Sequence, residues 1–186
     1  MISIADAQLD MREAYYGGAP GVVSSGCAWL AAALVTLLVS PRAGILTLVV
    51  GGMFIFPVSV LLCKVIGCTG KHRKENPLAA LAIESTIWML LSIPIAIGAS
   101  LYRIEWFFPA MLLVIAGRYL TFSTLYGNRT YWVFSGLLVA ASIGLYFLGA
   151  SVFLGALAGA LVEFAFAIKI FIAHVPQRYE PGKSPR

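Results

Sequence analysis

Four ionisable side chains stand inside stretches that are otherwise almost wholly apolar: Glu84, Arg118, Glu163 and Lys169. In a bilayer each costs about 2.5–3.5 kcal/mol at the centre of a helix, so such groups normally face the protein interior and find a partner. Arg118 stays protonated under any ordinary condition and can hold one carboxylate ionised. If Glu84 and Glu163 both approach it, one of the two is expected to carry a proton. A carboxyl that gains and loses a proton beside a fixed cation is what a proton-coupled carrier uses. A purely structural polar clamp has the same composition, and both readings stay open.

The spacing around Glu163 indicates its direction. Gly155, Gly159, Glu163 and Ala167 recur every fourth residue and form one stripe of a helix. Gly-x-x-x-Gly admits another backbone closely, and Gly136, Ala140 and Gly144 one segment earlier offer a complementary run. Glu163 is therefore expected in a tight helix–helix contact, with His174 on the same face at the helix exit. The segment carrying Arg118 continues with Tyr119, Thr121, Ser123, Thr124 and Tyr126. These hydroxyls either bond carbonyls one turn back or line a hydrated cavity below Arg118. Lys169 is near enough to a helix end to extend its ammonium to the membrane surface.

The elements that position these groups follow from composition. The chain has 186 residues, 60% hydrophobic and 11% charged, with a mean hydropathy of +0.90. Soluble domains carry about 25% charged residues, so a chain this poor in charge has lipid as its solvent. Six apolar segments, at about 22–39, 43–66, 78–99, 107–126, 131–148 and 151–173, are each long enough to cross about 30 Å of hydrocarbon. The fold class is all-α: a six-helix polytopic bundle spanning residues 22–173. Residues 1–21 precede it as an amphipathic, interfacial segment, and 174–186 form a short Pro-rich tail expected to be disordered. Ser3 and Asp6 have capping-box spacing for a helix over 3–16. In it Ile2, Leu9, Tyr15 and Tyr16 rest on the membrane while Asp6, Asp10, Arg12 and Glu13 face water. Asn76-Pro77 marks a helix start. Pro57 and Pro94 fall inside segments two and three.

Orientation follows from Lys and Arg. An even number of spans puts both termini on one side, together with the loops at 64–77 and 127–130. That side holds Arg12, Lys64, Lys71, Arg73, Lys74, Arg129, Arg178, Lys183 and Arg186, against Arg42 and Arg103 on the other. The bias places both termini in the cytoplasm. Lys71, Arg73 and Lys74 are suited to anionic lipid headgroups. The net charge of +5 is thus a topology signal, and nucleic acid is not an expected partner.

Other chemistries find little support. Cys27, Cys63 and Cys68 form no disulfide framework, and Cys63, Cys68 and His72 lack a fourth metal ligand. No phosphate-binding Gly-Lys-Ser/Thr and no nucleophile elbow occurs. No cofactor or metal is expected, and an enzyme is the least favoured class.

The stretches SPRAGILTLVVGGMFIFPVSVLLCK, NPLAALAIESTIWML and SLYRIEWFFPAMLLVIAGRYLTFSTLYG resemble a family of small bacterial polytopic membrane proteins of unknown function, over most of residues 5–170. The resemblance implies a bacterial inner-membrane origin and brings no activity or site residues. The leading functional expectation is a small carrier or channel-like protein with a Glu84–Arg118–Glu163 layer in the cytoplasmic half, compatible with a homo-oligomer. The alternative is a non-transporting scaffold or accessory subunit in which the same charges only fix packing.

Overall fold

The structure is a computed structural model and describes residues 2–174, with side chains through Ala173. The expected disordered tail falls outside the described residues, except that the His174 backbone closes the last helix. The described chain is all helical: α1 (Ile4–Tyr15), α2 (Ala19–Leu38), α3 (Pro41–Val65), α4 (Leu78–Tyr102), α5 (Phe107–Tyr126), α6 (Thr130–Phe147) and α7 (Val152–His174). Short 3-10 turns at Tyr16–Gly18 and Ile104–Trp106 join α1 to α2 and α4 to α5. Helices α2 to α7 are long and apolar enough to cross a membrane, which makes this a multi-pass membrane protein.

Local chemistry sets the helix ends. Pro20 and Pro41 lie in the first turns of α2 and α3, where a missing N–H costs nothing. The Ser40 hydroxyl accepts from the Ala43 amide at 3.2 Å, and Asn76 Oδ1 accepts from the Leu78 amide at 2.9 Å. Gly127, at φ +60°, ends α5 in the left-handed conformation that a side chain would resist. Helices α3 and α4 continue through Pro57 and Pro94.

Four helices make the interior. Helix α2 packs along α7, α5 packs along α6, and α7 touches both α5 and α6. The flanks are α3, which leans on α2, and α4, which leans on α5. Little of α3 or α4 is buried, so most of their Leu, Ile, Val and Phe side chains face outward, while Leu48 and a few neighbours meet the core. That is the expected arrangement when lipid is as good a solvent for leucine as the core.

Helix α1 lies across the bundle end where α4 begins and α5 finishes. The Ser3 hydroxyl accepts from the Asp6 amide at 3.1 Å, starting the helix. Ala7, Met11 and Ala14 are buried. Two residues expected to face water turn instead to protein. The Arg12 guanidinium donates to the Tyr126 carbonyl at 2.7 Å, satisfying one of the free acceptors that end α5. Asp10 Oδ2 accepts from the Asn76 side-chain amide at 2.7 Å and the Arg73 backbone N–H at 3.0 Å. Gln8 donates to the Thr124 carbonyl at 2.8 Å, and the Tyr15 hydroxyl pairs with His72 Nδ1 at 2.8 Å. The segment is a fitted cap on one end of the bundle, with Ile4 and Leu9 left exposed.

Candidate functional site

Glu163 is fully buried at the middle of α7. Gly159, one turn earlier, explains how it comes there: a methyl group at that position would drive into the Trp29 indole of α2. At Gly155 an added Cβ would sit 2.8 Å from Phe108 Cβ of α5. On the facing helix, a Cβ at Gly26 would lie 3.3 Å from Glu163 Cβ. Small residues on both surfaces therefore bring α2 and α7 close enough for a short polar side chain to bridge them.

The bridge is made of three groups from three helices. Tyr119 of α5 donates its hydroxyl to the carboxyl, 2.8 Å from Oε2 and 3.1 Å from Oε1. Ser25 of α2 donates to Oε1 at 3.0 Å. The Tyr119 ring is held by Phe134 with centroids 4.3 Å apart, by Phe122 edge-on at 5.3 Å and by Tyr131 at 6.1 Å. Phe134 stacks in turn on Phe166 of α7 at 3.9 Å. The Tyr131 hydroxyl donates to the Gly17 carbonyl at 2.6 Å. The polar junction thus lies inside an aromatic cage that extends from mid-bundle to the turn between α1 and α2.

Among the residues predicted from sequence, Glu163 and Tyr119 are brought together. Arg118 is not in ion-pair contact with Glu163 or Glu84; among the described residues the ion pairs are Arg73–Asp10 at 3.7 Å and Arg103–Glu105 at 3.8 Å. Arg118 is half-buried just past the middle of α5 and reaches α4. There Nη2 donates to Thr86 Oγ1 at 3.4 Å, Nη1 approaches Met89 Sδ at 3.2 Å, and the guanidinium lies 5.4 Å from the Phe122 ring centre. Its Nε is buried and without a hydrogen-bond partner among the described residues. Glu84 is exposed on α4, nearer the amino-terminal end of the bundle than Glu163. The three groups thus do not meet as an ion-paired cluster. The reason is angular: Tyr119, one residue after Arg118, is rotated about 100° from it and takes the inward position.

Thr121 donates to the Arg118 carbonyl of its own helix at 2.7 Å, a local bond within one turn. The His174 side chain lies outside the described residues. Gly155 and Gly159 do accept close neighbours, but from α5 and α2. Gly136 and Gly144 meet nothing within 4 Å, and Gly136 and Ala140 are exposed. The face of α6 that packs is instead Tyr131, Phe134, Ser135, Leu138 and Ser142, with Ser135 and Ser142 donating to carbonyls of α5. Lys169 is exposed.

Ser25 was not singled out from the sequence. The available signal was the run Ser24-Ser25-Gly26 in an apolar helix, which gives no indication of which serine faces α7. Ser24 in fact bonds its own Pro20 carbonyl at 2.8 Å.

A family model matches residues 4–173, nearly the whole described chain and every element that builds the junction. The chain belongs to the DUF7010 family, a family of unknown function. No curated protein and no solved structure matches this DUF7010 member.

Proposed function

We propose that this protein is a membrane-embedded scaffold or accessory subunit, in which Glu163 clamps α2, α5 and α7 together. The observation that carries this reading is the complete enclosure of Glu163, with Ser25 and Tyr119 both directed onto its carboxyl. A coupling carboxyl needs water or a mobile cation at some stage of its cycle. Here both donors come from neighbouring helices, and Glu84 faces away from the junction. Such a junction fixes helix register because each polar group, once separated, has no other partner in hydrocarbon.

In this reading both termini are cytoplasmic, which the Lys and Arg bias supports, and the membrane is a bacterial inner membrane, which the resemblance to small bacterial membrane proteins supports. The exposed Lys71 and Lys74, with Arg73 beside them, then meet anionic headgroups of that leaflet. The broad apolar faces of α3 and α4 are where further copies of the chain would pack in a homo-oligomer.

A carrier or channel-like reading draws support from Arg118, a half-buried cation with no acidic partner in contact and one N–H unbonded among the described residues. Thiol accessibility separates the two readings. In a background lacking Cys27, Cys63 and Cys68, single cysteines replace Ser25, Arg118, Thr121 and Glu163, and a membrane-impermeant reagent is applied from each side. The scaffold reading expects positions 25 and 163 to stay unlabelled in folded protein. Labelling at several positions from both sides would overturn it in favour of a carrier.

A further inference from the structure

At the bundle end opposite α1, an open groove of about 360 Å³ runs between α4, α5 and α6. Its walls include Ala99, Trp106, Ala110, Leu113, Ile143 and Phe147. The lining is mostly apolar; of its two hydroxyls, on Ser142 and Tyr146, that of Ser142 is already donated to the Pro109 carbonyl at 2.7 Å. Two alanines on facing helices create the depression. From Trp106 to Leu113 it extends about 10 Å into the membrane at 1.5 Å per residue, the reach of the upper part of one acyl chain.

The mouth of the groove carries charge of both signs. Arg103 and Glu105, three and one residues before Trp106, stand 3.8 Å apart with side chains 61% and 39% exposed. The Arg103 guanidinium lies 6.0 Å from the Trp106 ring centre. Tyr102, Trp106 and Tyr146 form a continuous aromatic collar, with successive centroids 5.2 and 5.3 Å apart. Aromatic collars of this kind mark the headgroup level of a bilayer.

We infer that this groove is a binding site for a zwitterionic aminoethyl phospholipid, with an acyl chain against Leu113 and Ile143 and the headgroup across Arg103 and Glu105. Charge complementarity selects this occupant. A phosphodiester matches the guanidinium, which offers several donors to its oxygens. The ammonium two carbons away matches the Glu105 carboxylate, and its three N–H groups can serve that acceptor together with the collar. A lipid with only negative charge would satisfy Arg103 and be repelled by Glu105. A trimethylated ammonium would have no N–H to donate.

Bromine-quenched tryptophan fluorescence tests this, because Trp106 lines the groove. Trp88 and Trp132 are exposed and are replaced by Phe; Trp29 is buried and stays as a constant background. The protein is placed in bilayers of unbrominated phosphatidylcholine, with a small, increasing fraction of lipid bearing dibrominated acyl chains. Phosphatidylethanolamine, phosphatidylglycerol and phosphatidylcholine carrying the same chains are compared. Half-maximal quenching is expected at a mole fraction several-fold lower for the ethanolamine lipid. Arg103→Gln and Glu105→Gln should each bring its curve toward that of phosphatidylcholine, with folding unaffected because both residues are at the exposed rim. Coincident curves for all three headgroups would reduce the groove to an ordinary lipid contact and overturn the inference. Preference for phosphatidylglycerol would overturn it in favour of a site that reads phosphate alone.

Discussion

At the residue scale, the bond between Tyr119 and Glu163 illustrates how much a single polar contact contributes inside a membrane. Interhelical hydrogen bonds there average about 0.6 kcal/mol and reach about 1.7. Tyr119→Phe leaves the ring in its cage and removes only the hydroxyl, so a loss of about 1 kcal/mol is expected. Glu163→Gln keeps a polar acceptor for Ser25 and Tyr119 and should unfold close to wild type. Glu163→Leu strands both donors and should cost about 1–3 kcal/mol for each buried group left unpaired. Denaturation of the three variants in one detergent, followed by tryptophan fluorescence, checks the order. If the Gln variant were as damaged as the Leu variant, a negative charge at 163 would matter beyond its hydrogen bonds. Gly159→Ala is the steric counterpart: one methyl against the Trp29 indole should cost about 1–3 kcal/mol. The Trp29 emission should change in the same variant, since that ring must move.

At the element scale, α1 is attached mainly by polar contacts. Burial works against the ionised form of Asp10. The Asn76 side chain, the Arg73 backbone N–H and the charges of Arg73 and His72 nevertheless hold its carboxyl below the ordinary value. A carboxyl depressed in the folded state adds stability above its unfolded pKa of about 3.9, and that contribution disappears as pH falls through the folded value. Docking of α1 should therefore be insensitive to pH near neutrality and weaken only below about pH 4. Hydrogen exchange of the amides of α1, measured against those of α5 as an internal reference, reads this directly. Asp10→Asn should flatten the acid dependence and raise exchange in α1 near neutrality. Unchanged exchange in α1 across that range would mean that Met11 and its buried neighbours hold the helix without help from Asp10. The order of residues offered a partial view of this element. It indicated a helix started by Ser3 and Asp6 but assigned Asp10 and Arg12 to water, because their acceptors and donors are more than sixty residues away in sequence.

At the scale of the whole molecule, four helices form the interior and two are flanks. Substitutions on the outward faces of α3 and α4, such as Leu61→Val or Leu91→Val, should change stability by less than about 0.5 kcal/mol, as surface positions do. A comparable change at Leu112 or Leu138, both fully buried, should cost about 0.5–1.5 kcal/mol. Parallel thermal melts of the four variants check this. Equal losses on the outer and inner faces would show that α3 and α4 are covered by other protein, as a homo-oligomer would have them.

Much of this architecture was legible in the order of residues alone. Hydrocarbon is about 30 Å thick and demands internal hydrogen bonding, so long apolar runs punctuated by breaks such as Asn76-Pro77 have few alternatives to six spans. Glu163 was legible as a buried group because Gly155 and Gly159 precede it at helical spacing. Its partners were not. A four-residue period says that a stripe packs but not on which helix, and lipid exerts too little selection on the competing faces to show in composition. The packed structure put Trp29 and Phe108, and not Gly136 and Gly144, against that stripe. By rotating Tyr119 inward, it gave Glu163 a neutral donor where the spacing of charges alone had pointed to Arg118.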